Sequence, residues 1–167
     1  MKSILEFVNQ KPIRKRSEVY IIKDNTILFG IPSKEYSTYI IPGGKIENDE
    51  TPEQAAVREA KEEVGIIVKD LKYLNKTIIK YSGTSANPYI QKNIDRYSGV
   101  EIYTFIGYFK DIVKVNTNQD DVYKTIALTK QEAIVKFTKA LKIEKEDFNK
   151  QKLKYVLECL RKLWNLY

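Results

Sequence analysis

Three glutamates near the first third of the chain could together bind a cation. Glu59 and Glu62 are three residues apart, and Glu63 is four residues beyond Glu59. On a helix, all three side chains would converge on one face. Like charges at this spacing cost about 0.2–0.5 kcal/mol per pair, and hard divalent cations take carboxylate oxygens as ligands. The spacing therefore indicates a site for Mg²⁺ or Mn²⁺, whereas the ordinary alternative is a solvated acidic face.

The segment around these glutamates carries the signals of a helix. Thr51 is a good N-cap, Gln54 completes a capping box, and Pro52 takes the first helical position. Gly65 is a C-terminal stop signal, so we predict a helix from about Pro52 to Val64. The three glutamates then lie near the negative end of the helix dipole, which costs roughly 0.3–1 kcal/mol each. Local rules that are broken in one place usually mark a functional site.

The composition excludes several kinds of active site. The 167 residues contain no histidine and one cysteine, Cys159. Ser-His-Asp triads, Cys-His pairs and histidine-ligated metals are therefore excluded, and any bound metal must be held by oxygen. A single cysteine forms no internal disulfide and fits a reducing cytoplasm, which we take as the expected location. No apolar run approaches the roughly 20 residues that span a bilayer, so we expect no membrane association.

The charge is unevenly distributed along the chain. The net charge is +7, but residues 44–66 hold seven acidic and three basic side chains, a net charge of −4. The rest of the chain therefore carries +11. An acidic segment in an otherwise basic chain suits a metal ion that is surrounded by basic groups, which attract phosphates. The alternative is that the lysines merely keep the surface solvated.

The apolar patterns predict strands that alternate with helices. Strands are expected at 19–23 and 26–31, within "YSTYIIPGG" up to the Pro-Gly-Gly turn, in "GIIV" and "YLNKTIIKY", in "VEIYTFIGYF" and in "VYKTIALT". A further helix should begin after Thr129, with Glu132 completing a capping box. We expect residues 82–99 to form a functional or mobile loop, because a polar segment of 18 residues is long for a connection.

The C-terminal segment, residues 145–167, has leucines at helical spacing with lysines between them. We expect it to pack on the sheet, although a basic amphipathic helix can also bind nucleic acid or membranes. The whole pattern predicts one α/β or α+β layered domain over residues 1–167, with a core at about 17–140 and a C-terminal helix at 143–167.

Residues 44–66 resemble the Nudix box, G-x5-E-x7-R-E-U-x-E-E-x-G-U, where U is an aliphatic residue. Every fixed position matches, and the one soft departure is Ala60, where a larger aliphatic residue is usual. Tyr39 stands where an aromatic often precedes the Pro-Gly-Gly turn, and the resemblance extends over about 18–137. It implies an α/β/α sandwich around a mixed β-sheet, followed here by an amphipathic C-terminal helix.

The resemblance also implies an activity, which is hydrolysis of a nucleoside diphosphate linked to another group, X. Glu59, Glu62 and Glu63 would then bind Mg²⁺ or Mn²⁺, and the Gly44 carbonyl would add a ligand. Glu62, or a carboxylate outside the box, would deprotonate the attacking water. Catalysis would rest mostly on positioning and electrostatics.

Two further box residues would have supporting roles. By the resemblance, Arg58 would orient Glu59, and Glu50 would support the junction of loop and helix by pairing with Arg58. Members of the family often add an acidic residue from a later loop. Asp120 and Asp121 are the first candidates for it, against the alternative of a plain polar turn, and Glu101 is the second.

The sequence says less about the substrate. Tyr39 and Tyr81 are candidates for binding the substrate, and Tyr81, Tyr89 and Tyr97 could stack on a base, although each could simply pack in the core. The position where the ADP-ribose group has a proline is Tyr81, which is also one residue short of the diadenosine-polyphosphate spacing. The sequence also shows no NADH-type or coenzyme A-type signature.

We therefore expect a pyrophosphohydrolase acting on a (d)NTP or a nucleoside diphosphate derivative, as a monomer or homodimer. One alternative is an RNA 5′-end pyrophosphohydrolase, with "KPIRKR" and the lysine-rich C-terminal helix holding the RNA. The other is a non-catalytic nucleotide-binding module, although such modules usually lose box glutamates. An isopentenyl-diphosphate isomerase relative is excluded because it needs histidine ligands.

Overall fold

Six strands form one mixed β-sheet in this computed structural model, which describes residues 10–32, 38–113 and 124–163. The strands are β1 (Ile13–Lys23), β2 (Thr26–Ile31), β3 (Gly43–Lys45), β4 (Ile66–Lys80), β5 (Gly99–Ile112) and β6 (Lys124–Thr129). Their order across the sheet is β4-β5-β1-β2-β6. β1 and β5 run parallel and the other pairs run antiparallel. β3 pairs with Arg16 to Glu18 of β1, whereas β2 pairs with the other end of that strand.

Helices cover both faces of the sheet. They are α1 (Pro52–Val64), α2 (Pro88–Arg96), α3 (Lys130–Ile143) and α4 (Asp147–Lys162). α1 packs on one face, while α3 and α4 pack on the other. This layering confirms the expected α/β/α sandwich and places the C-terminal amphipathic helix on the sheet. No helix among the described residues is long and apolar enough to cross a membrane.

The alternation of side chains along β1 divides the core in two, because successive residues of a strand point to opposite faces. Val19 and Ile21 join the cluster under α1. Tyr20 and Ile22 join the larger cluster under α3 and α4. Arg14, Arg16 and Glu18 continue this second face toward the start of the strand, where the strand runs beside β3.

The caps that the sequence predicts are present. The Thr51 hydroxyl accepts the Gln54 N–H, the Gln54 side chain accepts the Thr51 N–H, and α1 ends at Gly65 with φ = 65°. α3 begins with the same reciprocal pair, formed by Thr129 and Glu132. Both helix starts are thus confirmed, because each is specified by neighbours in sequence.

Two expectations were wrong. The strand expected in residues 36–44 is reduced, among the described residues, to a single bridge between Ile40 and Gly30 and the short β3, which begins after Pro42. The polar segment 82–99 is not one loop, because it contains α2 with Asn87 as its N-cap. The Asn87 side chain accepts the N–H groups of Tyr89 and Ile90, a cap that the polarity of the segment concealed.

Candidate active site

Arg58 organises the junction between the Pro-Gly-Gly turn and α1. Its Nε donates to Glu50 Oε1 at 2.7 Å and its Nη2 donates to Glu50 Oε2 at 3.0 Å, a bidentate pair. Nη2 also donates to the Lys45 carbonyl oxygen at 2.9 Å. These bonds to Glu50 lower the pKa of that carboxyl and raise the pKa of Arg58. One guanidinium thus fixes the loop to the helix.

Glu59 and Glu62 share the remaining terminal nitrogen of Arg58, Nη1. Nη1 donates to Glu59 Oε1 at 2.7 Å and to Glu62 Oε2 at 3.0 Å. The Glu59 side chain is 12% exposed, whereas that of Glu62 is 55% exposed and open to water. Gly44 lies against Glu59, and a Cβ at this glycine would overlap the carboxylate. A side chain at position 44 would therefore displace Glu59.

Glu63 has a different environment from the other two. Its Oε2 accepts the Gly43 N–H at 3.0 Å, and among the described residues it forms no ion pair. Burial raises its pKa to about 7, with Glu59 and Glu18 adding to the effect and the Gly43 N–H and Arg16 opposing it. A partly buried carboxyl beside another carboxylate would be stabilised by a bound cation.

These residues suit a hard divalent cation by their chemistry. Glu59, Glu62 and Glu63 supply only oxygen, and burial together with the neighbouring Glu59 carboxylate raises the pKa of Glu63. In the described part of the chain, however, no three acidic side chains already surround one point as metal ligands would. The donor set fits Mg²⁺ or Mn²⁺, and its use as a metal site, including the Gly44 carbonyl, stays a prediction.

The other sequence candidates are dispersed. Asp120 and Asp121 lie outside the described residues. Glu101, on β5, pairs with Lys76 Nζ at 3.3 Å and accepts the Tyr103 hydroxyl at 3.2 Å.

The two tyrosines proposed to bind the substrate, Tyr39 and Tyr81, also lie apart. The Tyr39 ring packs 6.4 Å from Phe29, and the Tyr81 ring packs 5.0 Å from Phe148 of α4, measured between centroids. Tyr81 lines a cavity beside β1 and Tyr39 does not. The two rings therefore do not form one stacking platform.

A second charged group, which the sequence did not predict, is centred on Glu18 of β1, the strand that pairs with β3. Glu18 is 1% exposed; its Oε1 accepts a hydrogen bond from Lys152 Nζ and forms an ion pair with Arg16 Nη2 at 3.3 Å. Burial opposes ionisation of Glu18, but Lys152 and Arg16 outweigh it and lower its pKa. The alternation in "RKRSEV" puts Arg14, Arg16 and Glu18 on one face and could have revealed part of this group.

A family model described as the NUDIX domain matches residues 12–151. The match covers the whole sheet and most of the packed helices. The chain belongs to the NUDIX family. The box geometry described above is therefore that of a NUDIX domain, and the resemblance seen in residues 44–66 extends through the fold.

The chain is also similar to individual NUDIX proteins. It is 40% identical over 87 residues to a putative 8-oxo-dGTP diphosphatase, YtkD, of Bacillus subtilis, a match that covers 52% of this chain and 44% of the relative. A NUDIX hydrolase structure from Nitrosomonas europaea has a TM-score of 0.63 at 15% identity, over 92% of this chain and 89% of that one. The structure of an ADP compounds hydrolase has a TM-score of 0.59 at 19% identity, over 92% and 75%.

The curated relative and the two structures support different statements. The match spans 44% of the length of the Bacillus relative, so that protein's activity is not assigned to this chain by the similarity. Both structures are under 25% identical to this chain and show the fold alone.

Proposed function

We propose that this NUDIX domain hydrolyses the diphosphate linkage of a small nucleotide, either a (d)NTP or a nucleoside diphosphate derivative, with Mg²⁺ or Mn²⁺. The observation that carries the proposal is the Arg58 cluster. One guanidinium holds Glu50, Glu59 and Glu62 beside Gly44, while Glu63 lies next to Gly43 and forms no ion pair with any residue that the structure describes. All box glutamates are retained, which favours an enzyme over a module that only binds nucleotides.

In this proposal the chain positions the reactants. Glu59, Glu62 and Glu63 would hold the divalent cation, which would neutralise charge on the diphosphate and lower the pKa of bound water. Arg58 would orient Glu59 and Glu62, and Glu50 would hold Arg58 by the bidentate pair. The glycines of the turn would let the diphosphate approach the backbone closely.

The reaction breaks one P–O bond. The oxygen of water bonds to one phosphorus, and the bond from that phosphorus to the bridging oxygen breaks. The products are two phosphates, one of which keeps the nucleoside. Glu62 is our candidate to take the proton from water, because its side chain is 55% exposed, whereas those of Glu50 and Glu59 are 14% and 12% exposed. Asp120 and Asp121 remain the alternative bases.

The experiment is a hydrolysis screen over a nucleotide panel, with Mg²⁺ and with Mn²⁺, and with products identified by mass. The panel includes 8-oxo-dGTP, because the Bacillus relative carries that name, together with unmodified (d)NTPs, ADP derivatives and triphosphorylated RNA. We expect divalent-dependent release of a nucleotide from at least one small substrate. Steeply salt-dependent cleavage of RNA above any free nucleotide would instead favour an RNA 5′-end hydrolase.

The matched controls are two substitutions on the same helix. Glu62→Gln should reduce kcat by about 10²–10⁴-fold, the usual contribution of a positioned acid or base. Glu53→Gln removes the same charge from the first turn of α1 and should leave kcat within about twofold of wild type. Absence of hydrolysis across the panel, or equal kcat for both variants, would contradict the proposal.

A further inference from the structure

Three cationic side chains line a small cavity on the face of the sheet opposite α1. It lies between β1, α2 and α4 and has a volume of about 50 Å³. Arg14, Arg16 and Lys152 contribute the positive charges, and Tyr81 and Tyr89 contribute two phenol rings. None of these residues belongs to the Nudix box. We call this space the β1–α4 cavity.

Two of the three cations, Arg16 and Lys152, are held in place by Glu18. Its carboxylate forms ion pairs with both while remaining 1% exposed. Arg16 Nε is buried and makes no hydrogen bond with any described residue. The three cations and the single anion leave a net charge of +2 around the cavity. A buried donor without a partner costs free energy unless a ligand or water satisfies it.

Arg14 lies beside the phenol rings of the cavity. Among the described residues it forms no ion pair, and its guanidinium carbon lies 5.8 Å from the centroid of the Tyr89 ring. Burial opposes ionisation of Tyr89, but the charge and hydrogen bond of Arg14 outweigh this effect and lower the pKa of the phenol. Guanidinium groups match the oxygens of a phosphate with paired hydrogen bonds.

The size of the cavity limits its occupant. Sites for drug-sized ligands measure about 300–1,000 Å³, so 50 Å³ is too small for a whole nucleoside. A phosphate monoester carries a charge of about −1.5 to −2 at neutral pH, which complements the net charge of the lining. Size and charge together favour a single phosphate group.

The cavity lies close to the candidate active site. Glu18 and Gly43 are partners across β1 and β3, and adjacent strands lie about 4.8 Å apart. A Cβ on Gly43 would come within 2.7 Å of Glu18 Cγ, and the Gly43 N–H donates to Glu63 at 3.0 Å. Gly43 therefore lies beside Glu18, which pairs with two cations of the cavity, and beside Glu63 of the candidate active site.

We propose that the β1–α4 cavity binds a phosphate group of the substrate that is separate from the diphosphate being cleaved. The preferred substrates are then nucleotides with an additional phosphomonoester on the part that does not react. This inference rests on the proposed function for its substrate, but the cavity's affinity for phosphate can be measured without any hydrolysis.

The first test is calorimetric titration of the full chain with inorganic phosphate in EDTA at constant ionic strength. We expect saturable binding by wild type and at least about tenfold weaker binding by Arg14→Gln. The matched control is Arg96→Gln, which removes the same charge from an exposed position on α2 and should bind like wild type. No saturable binding by wild type, or equal binding by both variants, overturns the proposal.

The second test compares substrates that differ by one phosphate, such as coenzyme A with dephospho-coenzyme A and NADPH with NADH. Where a pair is hydrolysed, kcat/KM should favour the phosphorylated member by at least about tenfold, and Arg14→Gln should remove that preference. Equal kcat/KM for the two members overturns the proposal. Phosphate binding that depends on Arg14 in a protein without hydrolytic activity would refute the proposed function and leave the cavity assignment standing.

Discussion

Two carboxylates, the buried Glu18 and the partly buried Glu63, lie next to Gly43 and have opposite electrostatic environments. Glu18 is paired with Arg16 and Lys152, and its pKa is lowered despite complete burial. Glu63 accepts one backbone N–H, and burial raises its pKa to about 7. Glu18 thus has two cationic partners, although its Oε2 is buried without a hydrogen bond to any described residue, whereas Glu63 has no cation paired with it among those residues.

The difference separates a structural charge from a functional one. A charge that the protein neutralises itself stabilises the fold and positions its partners. A partly buried carboxylate beside Glu59, with no cation paired to it among the described residues, is destabilising until a cation binds. We infer that a divalent cation fills this role for Glu63, whereas Glu18 already pairs with Arg16 and Lys152, two of the three cations that line the β1–α4 cavity.

The largest expected effect is on catalysis. Glu63→Gln keeps the shape of the side chain but removes the charge that would hold the cation, so kcat should fall by about 10²–10⁴-fold. In EDTA the same variant should be at least as stable as wild type in urea denaturation at pH 8, because the buried charge is gone. A Glu63→Gln protein with wild-type kcat would show that the charge of Glu63 does not hold a catalytic cation.

Glu18→Gln should have its main effect on stability. It leaves Arg16 and Lys152 without their shared partner, and we expect the free energy of unfolding to fall by about 3 kcal/mol, the lower end for a broken buried pair. The lower end applies because the Arg16 and Lys152 side chains keep 21% and 23% exposure. Urea denaturation measures the loss, and an unchanged midpoint would show that Glu18 is not held by its partners.

The pH dependence of that stability has a definite sign. The pKa of Glu18 in the folded protein is lowered from its ordinary value of 4.5. Its contribution is therefore fully present above about pH 4.5 and is lost as the pH falls through the folded value. The difference in unfolding free energy between wild type and Glu18→Gln should be constant from pH 6 to 8 and shrink in stronger acid. A difference that grows on acidification would contradict the assignment.

A smaller effect is expected at two glycines. Gly44→Ala places a methyl group where the Glu59 carboxylate lies, so kcat should fall by about tenfold or more while the protein still folds. Gly83→Ala has open space around it but a φ of +67°, so it should cost about 1 kcal/mol of stability and leave kcat unchanged. Equal activity of the two variants would show that Gly44 does not position Glu59.

Features specified by local sequence were predictable. The α1 and α3 caps depend on residues three apart, and the box residues around Arg58 lie within one turn and helix, so both could be read from spacing. The fold class followed from the alternation of strands and helices. The box contacts occur among the residues that the resemblance selects, although their catalytic roles are untested.

Features that depend on distant contacts were not predictable. Glu18 and Lys152 are separated by 134 residues, and nothing near either residue signals the other. Segment 82–99 seemed to be a loop because its helix is short, polar and begins with an asparagine cap rather than an apolar run. The strand expected before Pro42 was wrong because residues of high strand propensity there find little pairing among the described strands.

The most direct test of the central claim is a Mn²⁺ titration of the full chain, followed by electron paramagnetic resonance, for wild type, Glu63→Gln and Glu53→Gln. We predict saturable Mn²⁺ binding by wild type and Glu53→Gln, and at least about tenfold weaker binding by Glu63→Gln. Equal Mn²⁺ affinity in all three proteins, or no saturable binding in wild type, would contradict it.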